Sequence, residues 1–197
     1  MSATDLTSDC AIAFKEWGAV CQALAAGEQT IILRKGGIHE GNAGFRVLHS
    51  RFWLYPTNFH QDPASLRGNA AEFLALARAA QPAPGLVALE LLATVQEVIE
   101  LSREAAALAL AEQHILSSET TGQRFHYKTP GLFLLIVRVY RRAEPHLLDE
   151  SPAFAGCRSW VPLPAPLPAT DLVPVLDDAT FQSRVAVIHS LLAGTQS

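Results

Sequence analysis

The chain has 197 residues, 49% hydrophobic and 17% charged, with 15 Lys and Arg against 19 Asp and Glu for a formal charge of −4. Half of the residues suit an interior, which excludes a disordered chain, and at on the order of 150 residues per domain the length fits one domain over 1–197. An acidic total also excludes a polybasic, indiscriminate polyanion binder and leaves local basic patches as the route to such a partner.

Asp9 precedes Phe14, Trp17, Cys21 and Leu24, apolar positions three or four apart, and Gly27 follows them. This spacing predicts a helix over 10–26. Thr30 to Lys35 is β-branched and aliphatic and runs into Gly36, Gly37, Gly41 and Gly44, which predicts a strand and a glycine-rich hairpin. From Phe45 to Tyr55 the period is two. Leu48, Phe52 and Leu54 fall on an apolar face, and His49, Arg51, Trp53 and Tyr55 on a basic, aromatic one.

Asp62 before Pro63 predicts a helix start, with Leu66, Ala70, Phe73 and Ala77 continuing it over 63–80 until Pro82 and Pro84. Residues 87–96 alternate as a half-buried strand, and Ser102 caps an alanine-rich helix to about Gln113. Two strands, 124–128 and 132–141, flank the turn Thr129-Pro130-Gly131. Pro162, Pro164, Pro166 and Pro168 predict an extended strap, and Asp177 caps a last helix with Phe181, Val185, Ile188 and Leu192 on one face. The order predicts an α+β fold: a curved, mostly antiparallel sheet or small barrel flanked by helices, its core at about 10–148, with strap and C-terminal helix over 149–197.

Met1 to Cys10 holds Asp5 and Asp9 and no Lys or Arg, so no signal peptide is expected there. Cys10, Cys21 and Cys157 form no C-x-x-C pair, and a reduced cytoplasm is the expected compartment, with no membrane contact. The glycines at 36–44 match neither G-x-G-x-x-G nor a P-loop, and no nucleophile elbow or zincin motif is present. No acid stands two before Lys15, Lys35 or Lys128, against the usual pattern of a restriction-type nuclease. His49, His60 and Asp62, joined by Glu90, have the ligand types for a zinc or manganese site, although Asp62 already has a capping role. Cys157 beside Arg158 is read as structural rather than nucleophilic. No catalytic residue and no cofactor is expected, and a metal-assisted hydrolase or a protein-interaction domain are the alternatives to a binding domain.

Residues 30–60 carry Arg34, Lys35, Arg46 and Arg51 against the single Glu40; residues 120–143 carry Arg124, Lys128, Arg138, Arg141 and Arg142 with no acid. Trp53, Tyr55 and Phe59 lie in the first segment. Arginines beside flat rings suit single-strand or flipped-base recognition, where guanidinium holds phosphate and rings stack on bases. Arg34, Lys35, Arg46, His49, Arg51, Trp53, Tyr55, Phe59 and Arg138 are thus the candidate contacts to DNA or RNA. The plainer reading has the rings plugging the sheet and the arginines solvated.

Phe14-Lys15-Glu16-Trp17, Leu33-Arg34-Lys35-Gly36-Gly37-Ile38, Phe52-Trp53-Leu54-Tyr55-Pro56-Thr57, Phe59-His60-Gln61 and Gly156-Cys157-Arg158-Ser159-Trp160 together resemble a bacterial family, domain of unknown function 1802, over nearly the whole chain. The resemblance implies a role in restriction or in DNA or RNA handling, with a restriction-system protein as a possible partner, and supplies no catalytic residue. A weaker likeness runs through Gly27, Thr30, Leu33 and Arg34, Tyr55-Pro56, Val95-Gln96-Glu97-Val98 and Glu144-Pro145. These are similar in order to PUA-like barrels, the ASCH and EVE domains among them, and imply a pocket that reads RNA or modified bases.

Overall fold

A seven-stranded sheet carries the fold in the computed structural model, which describes residues 8–35, 48–58, 61–154, 156 and 158–195. Its strands are β1 (Cys10–Trp17), β2 (Ile31–Arg34), β3 (Arg51–Thr57), β4 (Leu86–Leu101), β5 (Leu132–Asp149), β6 (Trp160–Leu167) and β7 (Leu172–Pro174). They lie in the order β2-β5-β4-β3-β1-β6, with β7 also on β5. Every pairing is antiparallel except that of β1 with β3. The helices are α1 (Gly18–Ala25), α2 (Ala71–Ala79), α3 (Glu104–Ala109), α4 (Ser118–His126) and α5 (Asp178–Ala193). The fold is therefore α+β on an open, curved, mostly antiparallel sheet. The long β4–β5 ladder shifts register between Leu89 and Leu91 and between Val95 and Glu97, irregularities that bend and twist a sheet. Among the described residues no helix is long and apolar enough to cross a membrane.

The curl leaves apolar layers on both faces of the strands. Phe14, Ile32, Phe52, Leu54, Leu91 and Leu135 pack with Val20 and Leu24 of α1 and Phe73 and Leu74 of α2. Ala13, Trp53, Tyr55, Leu89 and Leu92 form a second layer with Phe154, Val161 and Leu163. Leu33, Leu134 and Ile136 meet Phe125 of α4 and Phe181, Ile188 and Leu192 of α5 in a third. Burying each large apolar side chain contributes roughly 1.5–3 kcal/mol, so these layers dominate the stability.

The expected helix over 10–26 is a strand to Trp17 and a helix only from Gly18. β1 runs between β3 and β6, so Ala13 and Phe14 are both buried, on opposite faces. A strand buried on both faces has no period of two to read, and the helical spacing of Phe14, Trp17, Cys21 and Leu24 spans the junction by coincidence. The aromatic face expected on β3 is likewise interior: Trp53 and Tyr55 belong to the second layer.

Residues 124–128 are not a strand. Ser117 Oγ accepts the Thr120 N–H at 3.1 Å and starts α4, which runs to His126. The turn at 129–131 joins this helix to β5, with Gly131 at φ 126°, a left-handed geometry that favours glycine. The helix expected over 63–80 begins as two 3-10 turns, 63–65 and 68–70, before α2, with Asp62 Oδ1 accepting the Ala64 N–H at 2.6 Å. Ser102 does not cap α3, which follows Arg103 without a side-chain cap.

The strap is the edge strand β6. Val161 and Leu163 face inward and Pro162, Pro164 and Pro166 outward, where the missing N–H costs no ladder bond. Asp177 does cap α5, accepting the Thr180 N–H at 2.8 Å, and hydrogen bonds from Thr180 hold its carboxyl below the usual range. The glycine hairpin at 36–44 lies outside the described residues.

Two consequences are measurable. Ser117→Ala removes the cap of α4 and should lower the unfolding free energy by about 1 kcal/mol in urea titration. His114 is 2% exposed; its Nδ1 accepts the Leu116 N–H at 3.2 Å, and its Nε2 has no partner among the described residues. Burial, then Arg67 and Arg124, push its pKa from the ordinary 6.5 down to about 4. The unfolded chain therefore takes up this proton first as pH falls. Stability is lost between pH 6.5 and 4, by on the order of 3 kcal/mol, and His114→Asn, which keeps the acceptor, should flatten that part of the stability profile relative to the parent.

Candidate functional site

Because β1 and β3 are parallel, their C-terminal ends open at the same edge, with Lys15 opposite Tyr55, Glu16 opposite Pro56 and Trp17 opposite Thr57. A cavity of about 820 Å³ lies there. Arg34 enters it from the end of β2, Arg124 from α4, and Glu150 and Arg158 from the segments before β6.

Glu16 is 2% exposed. Its Oε1 accepts the Trp17 N–H at 2.8 Å, and its Oε2 lies 3.4 Å from Arg34 Nη1. Arg34 Nη2 donates to Ser159 Oγ at 2.7 Å, and the guanidinium sits 4.6 Å from the Phe14 ring centre. Arg34 Nε is buried with no partner among the described residues. The Arg124 guanidinium covers the Trp17 ring at 4.3 Å and donates from Nη1 to the Leu33 carbonyl at 3.4 Å. Burial pushes its pKa down; Glu16 opposes that shift and Arg34 adds to it. Lys15 Nζ donates to the Phe154 carbonyl and, at 2.9 Å, to that of Gly156, and lies 5.8 Å from the Tyr55 ring centre. Burial, then Glu150, push the Tyr55 phenol up. Arg158 is exposed at the mouth, with no ion-pair partner among the described residues.

Four cations, Lys15, Arg34, Arg124 and Arg158, thus face two carboxylates, Glu16 and Glu150. A guanidinium withdrawn from water needs a partner charge or hydrogen bonds. Here two of them flank one buried carboxylate. The arrangement suits an oxyanion such as a carboxylate or phosphate, two oxygens of which a guanidinium grips by paired N–H donors.

Of the residues expected from the sequence, Arg34 and Tyr55 line this cavity. Lys35 lies just past β2, where its Nζ donates to the carbonyls of Phe125, Thr129 and Gly131 and ties down the end of α4; burial lowers its pKa. Arg51 begins β3, with Nη2 donating to Ser8 Oγ at 2.8 Å and the Asp9 carbonyl at 2.9 Å. Trp53 is wholly buried and edge-on to His146 at 5.0 Å. His49 packs edge-on to Trp160 at 5.2 Å. Arg138 meets Asp178 at 2.6 Å and the Leu176 carbonyl at 2.9 Å, and so fastens the start of α5 to β5. Arg46, Phe59, His60 and Cys157 lie outside the described residues. Of the metal set, Asp62 caps the turn at 63–65 and Glu90 pairs with Arg141 at 3.2 Å. Among the described residues no three His, Cys, Asp or Glu come together as a metal site.

Lys15, Glu16, Trp17, Arg124 and Arg158 were not singled out as contacts by the sequence. One signal does point to them. The blocks Phe14-Lys15-Glu16-Trp17, Leu33-Arg34, Phe52 to Thr57 and Gly156 to Trp160 each contribute to the cavity wall. Gln61, from the remaining block, accepts the Ala19 N–H at 2.8 Å and anchors the start of α1 beside it.

No curated protein matches the sequence. Among solved structures, the fold is similar to that of ASCH from Zymomonas mobilis, with a TM-score of 0.45 at 12% identity over 89% of this chain and 94% of that one. A serine-to-alanine mutant of the same protein gives 0.43 at 13% identity over 89% and 94%. The family model described as domain of unknown function (DUF1802) matches residues 13–187, a span that includes every segment lining the cavity, and the chain belongs to that family.

Proposed function

We propose that this chain is a nucleic-acid-recognition domain without a reaction of its own, serving restriction or other DNA or RNA processing, and that the basic cavity holds its ligand. The observation that carries this reading is the pair of half-buried guanidiniums, Arg34 and Arg124, beside the buried carboxylate Glu16, with the exposed Arg158 at the mouth. Such a site is completed by an incoming phosphate, the anion that nucleic acid supplies at every residue. Half-buried Trp17 offers a ring in the same wall, the other half of nucleotide recognition. A recess of about 820 Å³ admits a strand end or an unstacked nucleotide rather than the flank of a duplex. In this proposal Arg34, Arg124 and Arg158 hold phosphate, while Lys15 and Tyr55 line the path of the sugar and base. Arg51 and His49, at the opposite end of β3, serve at most as outer contacts.

Fluorescence anisotropy with single-stranded, duplex and base-modified oligonucleotides at ~50 mM salt tests this. Single strands should bind best. Arg158→Ala, at an exposed position, should keep its fold, weaken binding about tenfold and reduce the salt dependence by a slope of about 0.7. Arg184→Ala, on α5 outside the cavity, serves as the charge-matched control. Absence of binding, or equal effects of the two substitutions, would sink the reading.

A further inference from the structure

A second cavity, of about 390 Å³, adjoins the basic one and shares Pro56, Asn58, Gln81 and Glu150 with it. Its chemistry is the opposite. None of its described lining residues is a Lys or Arg, and its charged lining residues among them are Glu90 and Glu150. Leu54, Leu91 and Cys21 form apolar wall on the sheet and α1, and the segment 80–85 after α2 adds Ala80, Pro82, Ala83 and Pro84. The start of α1 is packed tightly here: a Cβ on Gly18 would lie 3.0 Å from Asn58 Oδ1 and 3.1 Å from Ala77 Cβ. Amide groups also reach this cavity, from Gln22, Asn58 and Gln81.

A phosphate has no reason to enter a recess with carboxylates and no cation. A flat, neutral, heteroaromatic ring does, because it buries its faces against proline and alanine and presents donors and acceptors to amides at its edge. An occupant of both cavities is therefore anionic at one end and neutral, flat and hydrogen-bonding at the other. We infer that the second cavity is a subsite for a neighbouring nucleobase, so that the ligand unit is at least a dinucleotide of a single strand. This inference rests on the reading of the basic cavity as a nucleotide site. The basic cavity takes one nucleotide with its phosphate, and the chain then steps across Pro56 and Asn58 and leaves the next base in the neutral recess.

Isothermal titration of the full chain with three probes tests it: a 5′-phosphorylated mononucleotide, the corresponding nucleoside 3′,5′-bisphosphate, and a 5′-phosphorylated dinucleotide. The dinucleotide should bind about tenfold more tightly than the mononucleotide, as one added stacked base allows, and the bisphosphate should gain much less. Ala80→Trp and Ala83→Trp each put an indole into the neutral recess from an exposed position, and the dinucleotide-to-mononucleotide ratio should fall to about one in both. A bisphosphate that matches the dinucleotide, or a dinucleotide gain that survives both substitutions, overturns the subsite while leaving the basic cavity in place. If none of the probes binds, the basic cavity itself fails as a nucleotide site, and the subsite with it.

Discussion

Glu16 and Arg34 meet across the sheet, although β5, β4 and β3 separate their strands in the ladder order. Only a strongly curled sheet brings them together. A buried carboxylate at the end of β1 demands a cation, and Arg34, pinned on its other side by Ser159, supplies it. The same contact draws β2 toward the β1–β6 edge without any backbone pairing, and it sets the floor on which Arg124 and Trp17 stack. Fold closure and the charge of the cavity are therefore not separate features, because the residues that hold the curl are the ones that charge the cavity.

The formal charge of −4 hides this arrangement. Several basic side chains that look free in the sequence are consumed by structure. Lys35 closes the end of α4, and Arg138 secures α5 against Asp178. The cations that gather at the cavity come from four distant segments, 15, 34, 124 and 158, and no window of sequence contains their sum. Local charge counting finds the first kind of residue more readily than the second.

Much of the scaffold was legible. α5 announces itself by Asp177 and a regular apolar stripe, β4 by its alternation, the first half of β5 by an apolar run, and the β6 segment as extended by its prolines. Legibility failed where tertiary context replaced periodicity. β1 is covered on both faces, so its pattern merges with that of α1, and the strand end at Lys15, Glu16 and Trp17 has the spacing of the middle of a helix. The same ambiguity conceals the recess, because only a strand ending beside β3 brings these residues to it. α4 was missed for a related reason: its residues are mostly polar, and its stability comes from the Ser117 cap and from the burial of Phe125 against another layer.

The position of β1 has a consequence for the order of assembly. It is clasped between β3, about forty residues later, and β6, about one hundred and fifty residues later. The long β4–β5 ladder, joined through α3 and α4, closes within residues 86–149, whereas β1 gains its second neighbour only when nearly the whole chain is available. During synthesis the basic cavity is thus among the last parts to be completed. A chain that ends before Arg158 lacks Arg158, Ser159 and β6 together, and its Arg34 loses the Ser159 partner. Completion of the basic cavity is in this way coupled to the arrival of the last edge strand, which a chain ending before residue 158 never receives.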